Sequence, residues 1–160
     1  MLLLQLQRSS MIEPLPQAYK LELMTPSDFE FLYALCRATM ECYVIAAWGE
    51  WCDEIVRSQL LDGLNANAFQ GIFVNRLRVG AIAVERHDTH IQIEDLYILK
   101  EFQNQCIGTS IILDLIKEAR QSFKPVRLRV LSSSPARILY ERLGFVVVQT
   151  TPERYFMEYI

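Results

Sequence analysis

The spacing of apolar positions changes several times along this chain, and each change marks an element. Tyr19 to Met24 (YKLELM) alternates, the period of a half-buried strand. TPSDFE follows, with Thr25 as a candidate N-cap, Pro26 in the first turn and Asp28 near the start of a helix that the pattern carries to about Tyr43. Gly49 to Leu64 reads as a second helix, with Ile55, Val56, Leu60 and Leu64 apolar and Asp53, Glu54, Arg57 and Asp62 polar. AFQGIFVN and RLRVGAIAVERHD are strand-like, and their junction at Asn75-Arg76 is short enough for a hairpin.

HIQIEDLYIL contains an irregularity. Ile91 and Ile93 hold one apolar phase while Leu96 and Ile98 hold the opposite one, which one strand satisfies only with an extra residue, so a β-bulge is predicted near Glu94-Asp95. After the turn EFQNQC, apolar residues at Ile107, Ile111, Ile112, Leu115, Ile116 and Ala119 trace one buried face of a helix over about 106–121. PVRLRVL alternates Val126, Leu128 and Val130 with Arg127 and Arg129. A further helix opens on Ser134 as N-cap with Pro135 at its first position, buries Ala136, Leu139, Tyr140 and Leu143, and stops at Gly144. Strands at about Phe145–Gln149 and Arg154–Tyr159 flank a turn at Thr151-Pro152. The order β-α-α-β-β-β-α-β-α-β-β implies a mixed sheet covered by helices.

Composition narrows the function classes. A length of 160 residues with 51% hydrophobic content suits one domain with a sizeable core. A formal charge of −3 argues against a general nucleic-acid surface. The four cysteines form no C-x-x-C pair and share no ligand spacing with His87 and His90, so no metal site or disulfide framework is expected, and reduced thiols in a cytoplasmic protein are the expectation. The leucines of MLLLQLQRSS lack a preceding basic residue and a following cleavage pattern, and the run is too short to span a bilayer, so no membrane partner is expected. Residues 1–18 are read as an N-terminal extension, with Met11 as a second possible start. The helix that opens at Cys106 follows the bulged strand, and its unpartnered N–H groups and positive dipole end suit an anion such as a phosphate.

Two segments together resemble the Gcn5-related N-acetyltransferase (GNAT) family. Gln103-Asn104-Gln105-Cys106-Ile107-Gly108 is similar to its acetyl-CoA motif Q/R-x-x-G-x-G/A, with Cys106 where the first glycine belongs. SSPARILYERLGF is similar to its signature N-x-A-x-x-L-Y-x-x-x-G-F, with Ser134 in place of Asn and with Ala136, Leu139, Tyr140, Gly144 and Phe145 matching. The resemblance implies an α/β (α+β) domain over 19–160: a mostly antiparallel sheet of about seven strands, splayed after the bulged fourth, with about four helices. It also implies acetyl-CoA as cosubstrate without a metal. The pyrophosphate would lie on N–H groups of about Gln105 to Thr109, within a cofactor-binding run of Gln103, Asn104, Gln105, Cys106, Ile107, Gly108 and Thr109 to which Ser134 and Tyr140 add. The pantetheine arm would pair with the backbone of Leu96, Tyr97 and Ile98, and an N–H near Leu96 would stabilise an oxyanion.

In the same resemblance Tyr140 occupies the position of the general acid, and a phenol is a sensible proton donor to a departing thiolate. Glu94 is the favoured base, with Asp95 as competitor. Gln92, one strand repeat earlier, cannot titrate. Tyr43, Trp48, Glu50, Trp51, Asp53 and Glu54 are candidates for the acceptor side, suited to an amine, although a helix with tryptophans in the core and acids in water fits them equally. His87 and His90 flank a turn at Asp88-Thr89 and read as surface residues. The implied activity is N-acetylation of a small-molecule or protein primary amine, by a protein that is a candidate homodimer. A non-catalytic acyl-CoA-binding or sensing module is the alternative.

Overall fold

A computed structural model describes residues 17–160, and the first sixteen, with Met11 and most of the proposed extension, lie outside the described residues. Seven strands form one sheet in the order β1-β2-β3-β4-β5-β7-β6. These are β1 Lys20–Leu23, β2 Phe69–Val74, β3 Leu77–Arg86, β4 Ile91–Ile98, β5 Val126–Leu131, β6 Val146–Thr150 and β7 Arg154–Tyr159. Helices α1 (Phe29–Trp48) and α2 (Asp53–Asn65) cover one face, where Leu32, Leu35, Leu64 and Tyr97 are buried. Helices α3 (Ile107–Gln121) and α4 (Ala136–Arg142) belong to the core of the opposite face, built around Ile93, Ile111, Ile112 and Met157.

The β2–β3 hairpin turns through Asn75 (φ 49°) and Arg76 (φ 69°), the left-handed pair that lets a two-residue loop match the strand twist. Three predicted helix boundaries are corrected. Helix α1 runs to Trp48 rather than Tyr43, and Gly49, at φ 89°, closes it with an N–H donated to the Ile45 carbonyl, so this glycine ends the first helix instead of opening the second. Helix α2 accordingly begins at Asp53. Helix α4 begins at Ala136, one residue later than expected, with the Ala136 N–H donating to Ser134 Oγ at 3.2 Å.

The predicted bulge is present. In the β3–β4 ladder Ala83 faces Asp95 and Val84 faces Ile93, which leaves Glu94 as the extra residue. It resolves the phase conflict: Ile93 and Leu96 pack into the α3 core, and Tyr97 packs toward α1. Among the described residues the β4–β5 pair is the one parallel pair, and its ladder joins Ile91 to Val126 and ends at Ile93 with Leu128. Beyond the bulge the two strands separate.

Candidate active site

The separation exposes one edge of β4. Leu99 donates its N–H to the Val79 carbonyl at 2.8 Å, and the register continues through Ile98↔Gly80 and Tyr97↔Ala81. Because backbone groups alternate sides along a strand, Tyr97 bonds toward β3, and Leu96 and Ile98 turn their N–H and C=O groups into the gap facing β5. The Gln103 side chain already donates to the Ile98 carbonyl at 2.8 Å, which marks the same side.

Below this edge lies the turn into α3. Asn104 (φ 59°) and Cys106 (φ 64°) both adopt left-handed backbone conformations, and such alternation gathers successive N–H groups into a concave nest. No N–H from Asn104 to Thr109 finds an acceptor among the described residues, and the first inward bond of the helix is Ser110 N–H to the Cys106 carbonyl at 3.0 Å. The Ser110 hydroxyl donates to that carbonyl at 2.8 Å and accepts the Gln17 N–H at 2.8 Å. Gln105 donates to the Glu101 carbonyl at 2.9 Å and braces the loop. Ile107 is buried beneath it, and Gly108 packs against β4, where an added methyl would lie 3.4 Å from Ile98. The run Gln103–Thr109 therefore forms one cradle, continuous with the open edge at Leu96 and Ile98, and its chemistry suits a diphosphate-bearing ligand.

Tyr140 stands on α4 in the core on the α3 side of the sheet, edge-on to Phe145 at 5.9 Å. Its hydroxyl has no hydrogen-bond partner among the described residues, and burial pushes the phenol up to about 12. The Ser134 hydroxyl oxygen accepts the Ala136 N–H at the start of the same helix. The opposite face of the sheet carries the carboxylates. Glu94 is held by the Arg129 guanidinium. Asp95 accepts the Tyr97 hydroxyl at 2.7 Å, and burial raises its pKa against the pull of that hydrogen bond and of Arg129 and Arg154. Behind Tyr97, the Cys36 thiol is pushed up to about 11, again by burial.

The acceptor-side candidates divide. Trp51 Nε1 donates to Asp53 at 2.9 Å, and Asp53 also accepts the Tyr33 hydroxyl, so this pair fastens α1 to α2. Glu50 and Glu54 face solvent. Tyr43 and Trp48 lie at the splay: Ser133 Oγ donates to the Tyr43 carbonyl at 2.7 Å, and the Arg154 guanidinium sits 5.3 Å from the Trp48 ring centroid. His87 and His90 stack at 4.6 Å around their turn, away from this region. Sequence reasoning missed Arg129 and Arg154. Alternation on β5 hinted at the first, but the second reaches the site only through the pairing of Arg154 with Leu131. Among the described residues no cluster of metal-ligating side chains occurs, and no helix is long and apolar enough to cross a membrane.

An open seven-stranded sheet with a bulged, splayed β4 and an anion cradle at the following helix defines an acyltransferase fold of the GNAT type. The family model for the acetyltransferase (GNAT) domain matches residues 43–159, and the chain belongs to that family. The fold is similar to that of the PaiA N-acetyltransferase from Thermoplasma acidophilum, solved in complex with coenzyme A, with a TM-score of 0.67 at 20% identity over 89% of this chain and 98% of that one. It is also similar to Ard1 from Thermoplasma volcanium (TM-score 0.63, 19% identity, 89% and 97% covered). An acetyltransferase from Thermus thermophilus gives a TM-score of 0.69 at 16% identity, with 89% and 96% covered. No curated protein matches the sequence.

Proposed function

We propose that the protein is an acetyl-CoA-dependent N-acetyltransferase that moves an acetyl group to a primary amine by direct attack. The observation that carries this reading is the continuity of the open β4 edge with the unpartnered N–H groups from Asn104 to Thr109, a strand-like slot ending in an anion cradle. Coenzyme A has the matching parts, an amide-bearing arm and a diphosphate, and the PaiA relative was solved with it bound. Gln103 to Thr109 would hold the diphosphate, and Leu96 and Ile98 would hold the arm. The group supplies a thioester, whose carbonyl is the electrophile.

The Leu96 N–H is the donor positioned to stabilise negative charge on that carbonyl oxygen, with no reorganisation required as charge develops. Tyr140 donates its proton to the departing thiolate. A phenol near 12 keeps that proton throughout the neutral and mildly alkaline range, so its acid form is always present. Glu94, the residue the bulge adds, takes the proton of the attacking amine, directly or through water, while Arg129 fixes its carboxylate. Asp95 is the competing base. Its carboxyl is the more buried of the two and is engaged by Tyr97.

The test is an acetylation screen over amines and peptide N-termini, read by mass spectrometry, with wild type, Tyr140→Phe and Glu94→Gln in parallel. Tyr140→Phe should lower kcat by roughly 100-fold without changing the acetyl-CoA Kd, the scale of a lost general acid. Glu94→Gln should lose most rate at low pH and converge on wild type at high pH, where the free amine is already neutral. Acetyl-CoA binding with no transfer to any amine would instead identify the sensing module.

A further inference from the structure

Arg154 is the first residue of β7 and pairs with Leu131, at the end of β5 that has left β4. Its side chain is half-buried between the end of α1 and the sheet. The neighbouring arginines on this face are neutralised: Arg127 bonds Glu158 at 2.6 Å, and Arg129 bonds Glu94. Arg154 has no carboxylate within ion-pair distance among the described residues. No side-chain hydrogen bond from the Arg154 guanidinium occurs among the described residues, and a half-buried cation with no bonded carboxylate keeps N–H donors for an anionic ligand. The ligand is not the diphosphate, because α3 and its cradle belong to the core on the other side of the sheet.

Across the splay, Asp95 uses Oδ1 for the Tyr97 hydroxyl, and its Oδ2 has no partner among the described residues. No fully buried side-chain oxygen is left unpaired among those residues, so Oδ2 is not sealed from solvent. The separated ends of β4 and β5 therefore carry a carboxylate oxygen on β4 and, on β7 beside β5, a cation donor. The half-exposed Trp48 lies beside Arg154.

We infer that the acceptor carries a carboxylate beside its amine, as a free α-amino acid does, with Arg154 binding the carboxylate and Asp95 drawing the amine toward the thioester slot. This rests on the acetyltransferase reading and names its substrate class. A bidentate Arg–carboxylate pair at a partly dry site discriminates strongly against the amide of the same amino acid, which leaves the guanidinium unsatisfied.

The experiment titrates leucine, phenylalanine, glutamate and lysine, each against its carboxamide, into protein saturated with coenzyme A by calorimetry. The same pairs are then run with acetyl-CoA in a coenzyme A release assay. At least one acid should bind about tenfold or more tighter than its amide. Arg154→Gln should bring that ratio to about one through KM rather than kcat while leaving the coenzyme A Kd within about twofold, and Arg154→Lys should keep part of the preference. Equal or tighter binding of every amide, no binding of any pair, an unchanged ratio in Arg154→Gln or a tenfold loss of coenzyme A affinity in that variant would each overturn the assignment. An acid preference without any acetyl transfer would preserve the Arg154 site and refute the acetyltransferase reading, so the two failures are distinct.

Discussion

Asp95 shows how a single residue records the demands of the site. Burial raises its pKa above that of the unfolded chain, so the folded state holds this proton more tightly. Stability from that source is complete below the unfolded pKa and is lost as pH rises through the folded one, which leaves wild type carrying a cost at neutral pH. Asparagine keeps an oxygen for the Tyr97 hydroxyl and has no charge to bury. Asp95→Asn should therefore unfold at higher urea than wild type at about pH 7, with the advantage gone near about pH 3.5, and should bind amine acceptors more weakly. A lower urea midpoint at neutral pH would contradict this account. Sequence alone named Glu94 and Asp95 and left their facing open, because the register that makes Glu94 the extra residue depends on β3. Cys106 was legible as an intruder at a glycine position. Its φ of 64° supplies the reason a glycine is favoured there, a left-handed backbone that costs a side-chain-bearing residue roughly 1 kcal/mol.

At the level of elements, legibility followed periodicity. The bulge declared itself because apolar phase flips between Ile93 and Leu96, and α3 because its apolar face repeats without interruption. The end of α1 did not, since the apolar run Val44–Trp48 continues the helix and Gly49 serves equally as a stop or a start until its φ is known. Gly80 carries a requirement that periodicity cannot show. A methyl built on it would sit 2.2 Å from the Tyr97 carbonyl oxygen, a backbone atom that moves only if β3 and β4 part. Gly80→Ala should cost about 2–3 kcal/mol in chemical denaturation, at the upper end for overpacking, and raise the acetyl-CoA Kd because the β4 edge shifts with Tyr97. Gly108→Ala is the control: its methyl would meet Ile98 at 3.4 Å, an ordinary contact, and the change should stay within about 1 kcal/mol of wild type. Equal losses in the two variants would refute the distinction.

For the whole molecule, the decisive fact is how short the ladder is between the two halves of the sheet, which otherwise share the core under α3. Strands β1 to β4 and strands β5 to β7 share one sheet only through the ladder from Ile91–Val126 to Ile93–Leu128. In the function proposed above, coenzyme A fills the opening beyond it, which would link ligand and sheet architecture thermodynamically. A ligand that binds only the folded chain adds about 2.7 kcal/mol at a concentration roughly 100 times its Kd. For a chain of this size that corresponds to a Tm rise of roughly 5–10 °C. Coenzyme A at such excess should produce that rise, with new amide-exchange protection at Leu96, Ile98 and Asn104 to Thr109, whose N–H groups the ligand would newly satisfy. Tyr97 supplies an internal reference, since its N–H already faces β3 and should change little. A rise in Tm with protection confined to α1 and α2 would place the ligand on the wrong face, and no rise at all would mean that Cys106 closes the cradle to diphosphates.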